Sequence, residues 1–525
     1  MRWANRSNET SGMKRQVREH AADSSYGADM TKPIESIFIV APSQFRGFML
    51  ELAARLKERD NARLHLYCAT VQQIEHYRAR APEGLFTSIE CGARLYAALD
   101  EPVPPDEELW ARANEHEAWL GLPYNKLAVS DRHFGRGFAL AGFHHPRSRY
   151  GDADYRHITN AYNRAIDFWK REIEEKRPGL VLWGDRLLIA AAHAEGIPVR
   201  LLAGSRYRDY HYWAVNEFWE MPAVEQIYRG LNNGAESALE IDAPYHSHVV
   251  SRKHFLAQSN LPSRLSKMTH ATLQYAYWRL RGYEKAKGYY LSEQLAFHLR
   301  VWRQTRDLRR GGLAPLKDLE GRKFVFFPLQ TEPETSLQTL SPEYFFQLEA
   351  IASIARDLPA GVLLAVKETF AAVGRRPDNF YEQIRAFKNV VLLEMMELGL
   401  DVTRQAEAVV TINGTAGLEA AVRGKPVIVF GHHNLYRVLS HVLEVRESGD
   451  LKRCLQTALD GSIDEVAAKR AGQGFLQAVV ESSFDLHGYD FRTPDKIDPA
   501  AVDGAYAQLV AGLADGAEII SSEGA

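Results

Sequence analysis

The sequence has few cysteines and no long apolar run, and each shortage excludes a class of protein. Its three cysteines, Cys68, Cys91 and Cys454, are scattered without metal-ligand spacing. This pattern excludes a disulfide framework and fits a reducing compartment. No window holds the roughly 20 uncharged apolar residues of a membrane span, and the first thirty residues contain no apolar signal segment. We therefore expect a cytoplasmic protein that contacts a membrane only peripherally.

An excess of charge of either sign is also missing. The formal net charge is −3 in 525 residues, which argues against wholesale nucleic-acid binding. The hydrophobic fraction of 46% and the charged fraction of 25% are those of a globular protein. Because one core rarely supports so long a chain, two domains are expected. Residues 1–33 are predicted to be a disordered extension, in which Met30 is an alternative start.

Strands that alternate with helices predict two parallel α/β domains. The first, residues 34–245, has predicted strands at Ser36–Val40, Leu64–Cys68, Leu180–Trp183 and Ile197–Leu202. The second, residues 319–485, has them at Lys323–Phe327, Val362–Val366, Val390–Leu393, Val409–Ile412 and Val427–Phe430. Its predicted helices cover residues 341–358, 378–388, 400–407 and 416–424. Residues 246–318 connect the domains, and 486–525 form a C-terminal tail or helix.

The connecting segment is helical in pattern and strongly basic. Between residues 251 and 310, thirteen Lys and Arg against three Asp and Glu give a charge of +10, with tyrosines and tryptophans interleaved. Such a surface fits an anionic glycan or anionic lipid headgroups. Alternatively, the segment is a solvated connecting helix whose aromatic side chains face the core.

The most informative stretch, residues 411–431, reads as a strand, a tight turn, a helix and a second strand. Thr415 is predicted to cap the helix, and the sequence Gly424-Lys425-Pro426 ends it. Free backbone N–H groups and the helix dipole favour a phosphate at such a helix start. A plain βαβ unit with a capped helix is the alternative. The predicted nucleotide-binding residues are Asn413, Gly414, Thr415, Ala416 and Glu419, the last one turn into the helix and near a ribose.

Two further polar loops follow strands of the same predicted sheet. Glu332 and Glu334 flank Pro333, and they are predicted to bind sugar hydroxyls or to act as catalytic acid and base. Solvated acids in a proline-containing loop are the alternative. Because the carboxyl ends of parallel strands meet at one edge, these loops and the 411–431 turn are expected to share one crevice.

The second of these loops supplies cations. Lys367 and Arg375, with Glu368 between them, are predicted to neutralise a nucleotide phosphate or a sugar carboxylate. For Arg376 a surface salt bridge is the expected role.

In the first domain, Asp185 follows the predicted strand 180–183 and is the candidate catalytic residue. It would deprotonate an acceptor hydroxyl or attack an anomeric carbon. The alternative is an N-cap of the helix that begins at Arg186. Arg206 is predicted to hold the acceptor or a carboxylate of the donor, and His432 and His433 to contact a ligand at the rim. Two adjacent histidines without a third ligand do not make a zinc site, so no metal is predicted.

The motifs PLQTEPE, VKETF, GRRPDNFYEQI and TINGTAGLEAAVRGKPVIVFGHHNLY resemble the carboxy-terminal half of bacterial capsule polysaccharide biosynthesis proteins, which include retaining β-Kdo transferases. The resemblance covers residues 320–445 and implies a GT-B fold with CMP-Kdo as donor. It aligns Glu332, Pro333 and Glu334 with a QPE-type motif, and Lys367 and Glu368 with a KEHP-type motif. Glu replaces Gln in the first. Thr369 and Phe370 replace the His and Pro of the second, so a donor-contacting histidine is missing.

The sequence therefore predicts a metal-independent glycosyltransferase of surface polysaccharide synthesis, without a cofactor. Its predicted partners are a nucleotide-sugar donor, an anionic glycan or glycolipid acceptor, and the inner membrane or the capsule assembly machinery, with no nucleic acid. Two alternatives stay open: a nucleotide-sugar epimerase of the same fold, and a non-catalytic glycan-binding or export-assembly protein with a degenerate site.

Overall fold

A computed structural model of the chain describes residues 34–42, 44–91, 101–131, 153–231, 239–241, 255, 259–283, 286, 289–332, 334–344, 346–447, 449–490, 493 and 496–514. The predicted disorder of residues 1–33 and the alternative start at Met30 lie outside these residues, as does Pro333. Of the helices that the structure describes, none combines the length and the apolar character that crossing a membrane requires.

The first sheet is built from short apolar strands that are buried on both faces, as parallel α/β sheets require. Its strands are β1 (Ser36–Val40), β2 (Arg63–Cys68), β3 (Ser88–Cys91), β4 (Leu180–Leu182), β5 (Val199–Gly204) and β6 (Tyr210–Ala214). They lie in the order β6-β5-β4-β1-β2-β3, with β6 antiparallel to β5 and the others parallel.

Helices cover this sheet. They are α1 (Arg46–Asp60), α2 (Val71–Arg80), α3 (Asp106–Leu120), α4 (Tyr124–Ser130), α5 (Tyr155–Lys176), α6 (Arg186–Ala194) and α7 (Pro222–Gly230). Two helices in the connecting segment, α8 (Leu261–Leu280) and α9 (Leu291–Arg310), pack against each other. The predicted helical character of that segment is confirmed.

The second sheet is entirely parallel. Its strands are β7 (Phe324–Pro328), β8 (Leu363–Lys367), β9 (Val390–Leu393), β10 (Ala408–Thr411), β11 (Val427–Val429) and β12 (Val442–Glu444), in the order β12-β11-β10-β7-β8-β9. Its helices are α10 (Thr335–Gln338), α11 (Gln347–Asp357), α12 (Phe380–Ala386), α13 (Gly399–Gln405), α14 (Thr415–Val422), α15 (Asp450–Leu459) and α16 (Glu465–Glu481). Short 3-10 turns cover Leu316–Leu319, Pro342–Tyr344, Phe370–Ala372 and Leu435–Val438.

After α16 the chain returns to the first sheet. Strand β13 (Phe484–Asp485) pairs antiparallel with β6, and helix α17 (Pro499–Ala514) packs on α1. The indole N–H of Trp213 donates to the carbonyl of Ala505 at 2.9 Å, which fixes α17 to the sheet. Strand β13 lies at the end of the range predicted for the second domain, so the crossing back takes place before residue 484.

The two α/β units confirm the predicted fold class, and one apolar core joins them. This core contains Tyr207 and Tyr212 of the first unit together with Ala416, Leu418 and Tyr436 of the second. The carboxyl ends of the two sheets therefore lie close together, which is where open α/β sheets bind ligands.

Two details of the prediction were wrong. The first sheet is mixed, because β6 returns as a hairpin from β5 and β13 pairs on its outer edge. Helix α11 begins at Gln347 and not near residue 341, because Pro342–Tyr344 form a separate 3-10 turn. The ring of Tyr344 in that turn packs on Phe430, with centroids 5.0 Å apart, which redirects the chain before the helix starts.

Candidate functional site

Helix α14 starts at Thr415, and the preceding Gly414 is its N-cap without a side-chain capping bond. The predicted capping role of Thr415 is therefore wrong. Thr411 Oγ1 instead accepts a hydrogen bond from the backbone N–H of Gly414 at 2.9 Å, which turns the chain before the helix. Within the described residues, the backbone N–H groups of Thr415 and Ala416 make no hydrogen bond. Two donors at the positive end of the helix dipole thus stay available for an anion.

Gln330, at the end of β7, ties the first polar loop to this turn. When its amide is oriented by the hydrogen-bond network, the Gln330 oxygen accepts from the backbone N–H of Asn413 at 2.7 Å and of Gly414 at 2.8 Å. The Asn413 amide donates to Ser341 Oγ. Sequence reasoning missed Gln330, although it stands in the PLQTEPE motif. The expected convergence of the two loops is confirmed at this residue.

Glu419 lies on α14 with 8% of its surface exposed, and no described residue donates a hydrogen bond to its carboxyl group. Burial raises the pKa of Glu419 to about 7, while the positive charges of Arg423, Arg206 and Lys367 act to lower it. Arg206 comes from the first domain and the other two cations from the second. The carboxyl group thus lies near cations from both halves of the molecule and still has free acceptor positions for hydroxyl groups.

Tyr436 is a second unsatisfied group at this position, and the sequence did not single it out. It is 5% exposed, and its hydroxyl has no hydrogen-bond partner in the described part of the chain. Burial raises the pKa of Tyr436 above its usual range, against the positive charge of Arg206. A Cβ atom on Gly417 of α14 would lie 2.3 Å from this hydroxyl, so only glycine lets Tyr436 approach the helix.

Arg206 occupies the turn between β5 and β6 with a left-handed backbone, φ 69°. Arg208 in the same turn has φ 48°. A left-handed backbone is strained in residues other than glycine. Such conformations persist where the surrounding structure enforces them, often at functional sites. The Arg206 side chain is exposed and acts electrostatically on both Glu419 and Tyr436. Its predicted position at the ligand site is therefore consistent with the structure.

The carboxylates of Glu332 and Glu368 belong to a closed network around Arg376. Arg376 donates two hydrogen bonds to Glu368, each 2.8 Å long, and its Nη1 lies 3.0 Å from Glu332 Oε2. Tyr381 donates to Glu368 at 2.8 Å, and the Gln347 amide donates to Glu332. Desolvation opposes the charge of Arg376, but the two carboxylates outweigh it and raise its pKa.

The expected surface salt bridge of Arg376 is therefore wrong, since both Arg376 and Glu368 are 0% exposed and Glu332 is 5% exposed. The predicted catalytic and donor-binding roles of Glu332 and Glu368 remain predictions. Their protein contacts favour a different task, which is to hold the loops after β7 and β8 in place.

The other three predicted residues of these loops, Glu334, Lys367 and Arg375, lie in different surroundings. Glu334 is exposed, whereas Lys367 is half-buried, with its ammonium group 5.9 Å from the centre of the Phe370 ring. Arg375 lies over the ring of Phe297 in helix α9, 6.0 Å from its centre. Only Lys367 of the three acts on Glu419.

Asp185 caps helix α6, since its carboxylate accepts the backbone N–H of Leu188 at 2.9 Å. The capping alternative is thus confirmed, and the catalytic role stays a prediction. Desolvation raises the pKa of Asp185 to about 6, and the charge of Asp131 raises it further, against the hydrogen bond from Leu188. A carboxyl group of this kind exchanges protons near neutral pH, as a general base requires.

Arg186, next to Asp185, links the two domains, and sequence reasoning did not consider it as a functional residue. Its Nη1 donates to Ser130 Oγ at 2.6 Å in the first domain and to Thr339 Oγ1 at 3.2 Å in the second. Desolvation lowers the pKa of Arg186, and neighbouring carboxylates oppose that shift. Asp185 is therefore held beside a direct contact between the domains.

His433 makes another contact between the domains. Its ring stacks on Phe218 with centroids 4.0 Å apart, and its Nδ1 lies 3.1 Å from Glu220 Oε1. The hydrogen bond to His433 lowers the pKa of Glu220. The carbonyl of His432 accepts from Arg437. Their predicted ligand contacts stay predictions, and the described residues contain no group of three His, Cys, Asp or Glu that would hold a metal ion.

Comparison with known proteins agrees with the motifs. Residues 239–438, less than half of the chain, match the profile of the family described as capsule polysaccharide biosynthesis protein. The resemblance predicted from the motifs is confirmed. This segment includes helices α8 and α9 and all the candidate residues of the second domain. No curated protein matches the sequence.

Solved structures of sugar-nucleotide enzymes are similar to the chain at low identity. A β-Kdo 2,4 transferase, KpsC of Thermosulfurimonas dismutans, is 14% identical over 56% of this chain and 79% of its own, with a TM-score of 0.29. The β-Kdo 2,7 transferase of the same protein is 14% identical over 66% and 89%, also at 0.29. The UDP-GlcNAc 2-epimerase of Methanocaldococcus jannaschii is 10% identical over 84% and 98%, at 0.24. Scores this low carry no argument about activity.

Proposed function

We propose that the protein is a glycosyltransferase of capsular or other surface polysaccharide synthesis, which transfers a sugar from a nucleotide-sugar donor to a growing glycan. The observation that carries this proposal is the unsatisfied polar cluster at the start of α14. It combines two backbone donors and a buried carboxyl group, none of them hydrogen-bonded by a described residue, with cations from both domains. The family profile over residues 239–438 supports the same reaction class.

Each group in the cluster has a counterpart in a nucleotide sugar. The N–H groups of Thr415 and Ala416 would bind a phosphate at the helix start. Glu419 would accept hydrogen bonds from the two ribose hydroxyls. Lys367 and Arg206 would neutralise the phosphate or a carboxylate of the donor sugar, which makes CMP-Kdo our proposed donor. These fixed dipoles and cations supply the charge stabilisation that a metal ion would otherwise give, so we propose a metal-independent reaction.

The transfer breaks the bond between the anomeric carbon and the nucleotide phosphate and forms one to an acceptor oxygen. Asp185, whose pKa is raised to about 6, would remove the acceptor proton or attack the anomeric carbon in a double displacement. The proposed acceptor is an anionic glycan or glycolipid. In this proposal the protein works in the cytoplasm, at or near the inner membrane.

A thermal-shift screen of CMP-, UDP- and GDP-sugars tests the nucleotide site. A ligand at 100 times its Kd is expected to stabilise the protein by roughly 2.7 kcal/mol. Calorimetry on Glu419→Ala should then show no nucleotide binding while the circular dichroism spectrum is unchanged. Unaltered affinity would refute the assignment of Glu419.

One observation favours a second candidate, a non-catalytic glycan-binding protein. Thr369 stands where the family motif has histidine, and its backbone N–H is bonded to Glu368 at 2.6 Å. This candidate predicts glycan binding through the basic helices and no turnover of the donor. Incubation with CMP-Kdo and acceptor separates the two functions, and formation of an epimer without acceptor would instead support the epimerase alternative.

A further inference from the structure

Helices α8 and α9 form an antiparallel hairpin on the outside of the second domain. Val301 and Leu308 of α9 are buried in the core of that domain. The ring of Trp278 near the end of α8 packs edge-on against Tyr289, just before α9, with centroids 5.5 Å apart. Among the described elements, α9 is the one against which α8 packs extensively. Helix α8 is therefore an outer layer with one face on α9.

The opposite face of α8 exposes large apolar side chains. Of the ten exposed large hydrophobic residues that the structure describes, six belong to this hairpin. They are Leu261, Leu265, Leu273, Tyr277 and Leu280 on α8, and Leu299 on α9. Leu273 is 66% exposed and Leu280 is 87% exposed, although a helix normally turns such residues inward. So many exposed apolar side chains on one helix mark an interaction surface.

The charge of α8 has one sign. The helix carries Arg264, Lys267 and Arg279 and contains no Asp or Glu, and Arg281 follows directly as its C-cap. A surface that is both apolar and purely basic complements an anionic membrane, where apolar residues enter the headgroup region and basic residues meet phosphates. A typical protein partner surface, in contrast, is depleted in charge at its apolar centre.

One cation of the hairpin, Arg264, is buried without a counter-ion among the described residues. Arg264 is 7% exposed, its Nε is shielded from solvent, and it makes no hydrogen bond or ion pair with any described residue. Lys267 and His298 lie close to Arg264. Burial and the positive charges of Arg264 and Lys267 lower the pKa of His298 to about 4. The Nδ1 atom of His298 is buried and has no hydrogen-bond partner among the described residues. A buried guanidinium is costly unless an anion pairs with it, but Arg264 lies on the α9 side of α8, where its charge acts on His298. The cations on the exposed part of α8 are therefore Arg279 and the C-cap Arg281.

We propose that the α8–α9 hairpin docks on an anionic phospholipid bilayer, with the exposed Arg279 and Arg281 binding a lipid phosphate and the exposed leucines of α8 entering the acyl region. The lipid is favoured over free phosphate because the apolar face and the cations belong to the same helix. This inference goes beyond the proposed sugar transfer and does not depend on it, since membrane docking needs neither donor nor acceptor.

Flotation of the full-length protein with vesicles tests the proposal. Vesicles of phosphatidylcholine with 30% phosphatidylglycerol should carry the protein to the top of the gradient, and vesicles of phosphatidylcholine alone should not. Leu273→Ser combined with Leu280→Ser should reduce binding about tenfold, because burial of both side chains is lost. These positions are so exposed that the variant is expected to fold normally. Arg279→Gln, at an exposed position, should give a smaller loss, which Arg279→Lys restores.

The matched control is Val466→Ser combined with Arg470→Gln on α16, which removes one exposed apolar residue and one exposed cation elsewhere. It should bind vesicles like the wild type. Equal binding to both vesicle types, no binding at all, or an equal loss in the control would overturn the proposal. So would binding of inorganic phosphate at Arg279 and Arg281 without binding to vesicles. If sedimentation velocity shows a dimer that the leucine variant dissociates, without vesicle binding, the face belongs to a second copy and the lipid proposal fails.

Discussion

Two groups of charges lie at the carboxyl end of the second sheet, and they differ in how far the protein satisfies them. Around Arg376, the carboxylates of Glu332 and Glu368 are paired and further hydrogen-bonded by neighbouring side chains. Around Glu419, the nearby cations do not bond to the carboxyl group, and the hydroxyl of Tyr436 is left without a partner among the described residues. Both groups are buried, and both follow strands of one sheet.

The difference separates a scaffold from a binding site. A buried ion network is stable only if almost every polar atom in it is paired, and the Arg376 network meets this condition. The Glu419 cluster instead keeps buried polar groups unpaired, which destabilises the folded protein until a bound ligand supplies their hydrogen bonds. Perturbed and unsatisfied groups of this kind concentrate at functional sites. We therefore expect substitutions in the first group to affect stability, and substitutions in the second to affect ligand binding.

The largest effect is expected from Arg376→Met. Removal of the guanidinium leaves Glu332 and Glu368 buried without a cation, which typically costs about 3–5 kcal/mol. Urea unfolding followed by circular dichroism measures the loss. The adjacent Arg375→Met, which removes a half-buried cation over Phe297, should cost about 1 kcal/mol or less. Equal losses for the two arginines would contradict the distinction between scaffold and surface.

The next effect is a pH dependence caused by Glu419. Its pKa is about 7 in the folded protein against a usual value of 4.5, so between these pH values the folded state binds more protons than the unfolded state. Stability should therefore fall as the pH rises from 4.5 to 7. Glu419→Gln should remove this fall and be more stable than the wild type at pH 8 by about 1–3 kcal/mol.

Urea unfolding at pH 5 and at pH 8 measures this difference. Glu174→Gln, at an exposed position on α5, is the control and should follow the wild type at both values. A Glu419→Gln variant that loses stability at pH 8 would show that the carboxylate is paired after all.

Tyr381 belongs to the paired group and Tyr436 to the unpaired one, and a smaller change in stability is expected from replacing each with phenylalanine. Tyr381→Phe removes the hydrogen bond to Glu368 and should destabilise the protein by about 1–2 kcal/mol. Tyr436→Phe removes an unpaired hydroxyl and should leave stability unchanged or raise it by about 1 kcal/mol. The same Tyr436→Phe variant should bind the nucleotide sugar about tenfold more weakly, the effect of one lost hydrogen bond. Calorimetry and thermal unfolding on both variants give the result, and equal behaviour of the two would reject the comparison.

The smallest change in stability is expected at Asp185. Asparagine caps helices as well as aspartate, so Asp185→Asn should alter the free energy of unfolding by less than about 0.5 kcal/mol, whereas Asp185→Ala should cost about 1 kcal/mol. If Asp185 is catalytic, both variants lose turnover with CMP-Kdo. Normal turnover in Asp185→Asn would leave only the capping role.

Sequence periodicity predicted most of the second sheet, because five of its strands are short apolar runs between helices. In the two sheets together it missed β3 (Ser88–Cys91), β6 (Tyr210–Ala214), β12 (Val442–Glu444) and β13 (Phe484–Asp485). Strand β13 is too short to have a pattern, and it forms because β6 offers a free edge beside it. A pairing between residues so distant in the chain leaves no local signal.

The candidate site was predicted in part for the same reason. Strand order placed Lys367, Glu419 and the 413–416 turn at one sheet edge, and the structure brings them together. The pattern did not distinguish Glu332 and Glu368 from Glu419, because all three are acids in segments that follow strands of one sheet. Only the position of Arg376, directed inward and not toward solvent, separates them.

The sequence by itself determined the two α/β units, the basic connecting helices and the three polar loops, since these depend on local propensity and on the period of apolar residues. The tertiary structure decided which charges are paired and which are left open. It also decided that the charge of Arg206 in one domain acts on Glu419 of the other, and that Leu273 and Leu280 of α8 are exposed in the part of the chain that the structure describes. These outcomes depend on distances between segments far apart in the chain, and no local pattern contains them.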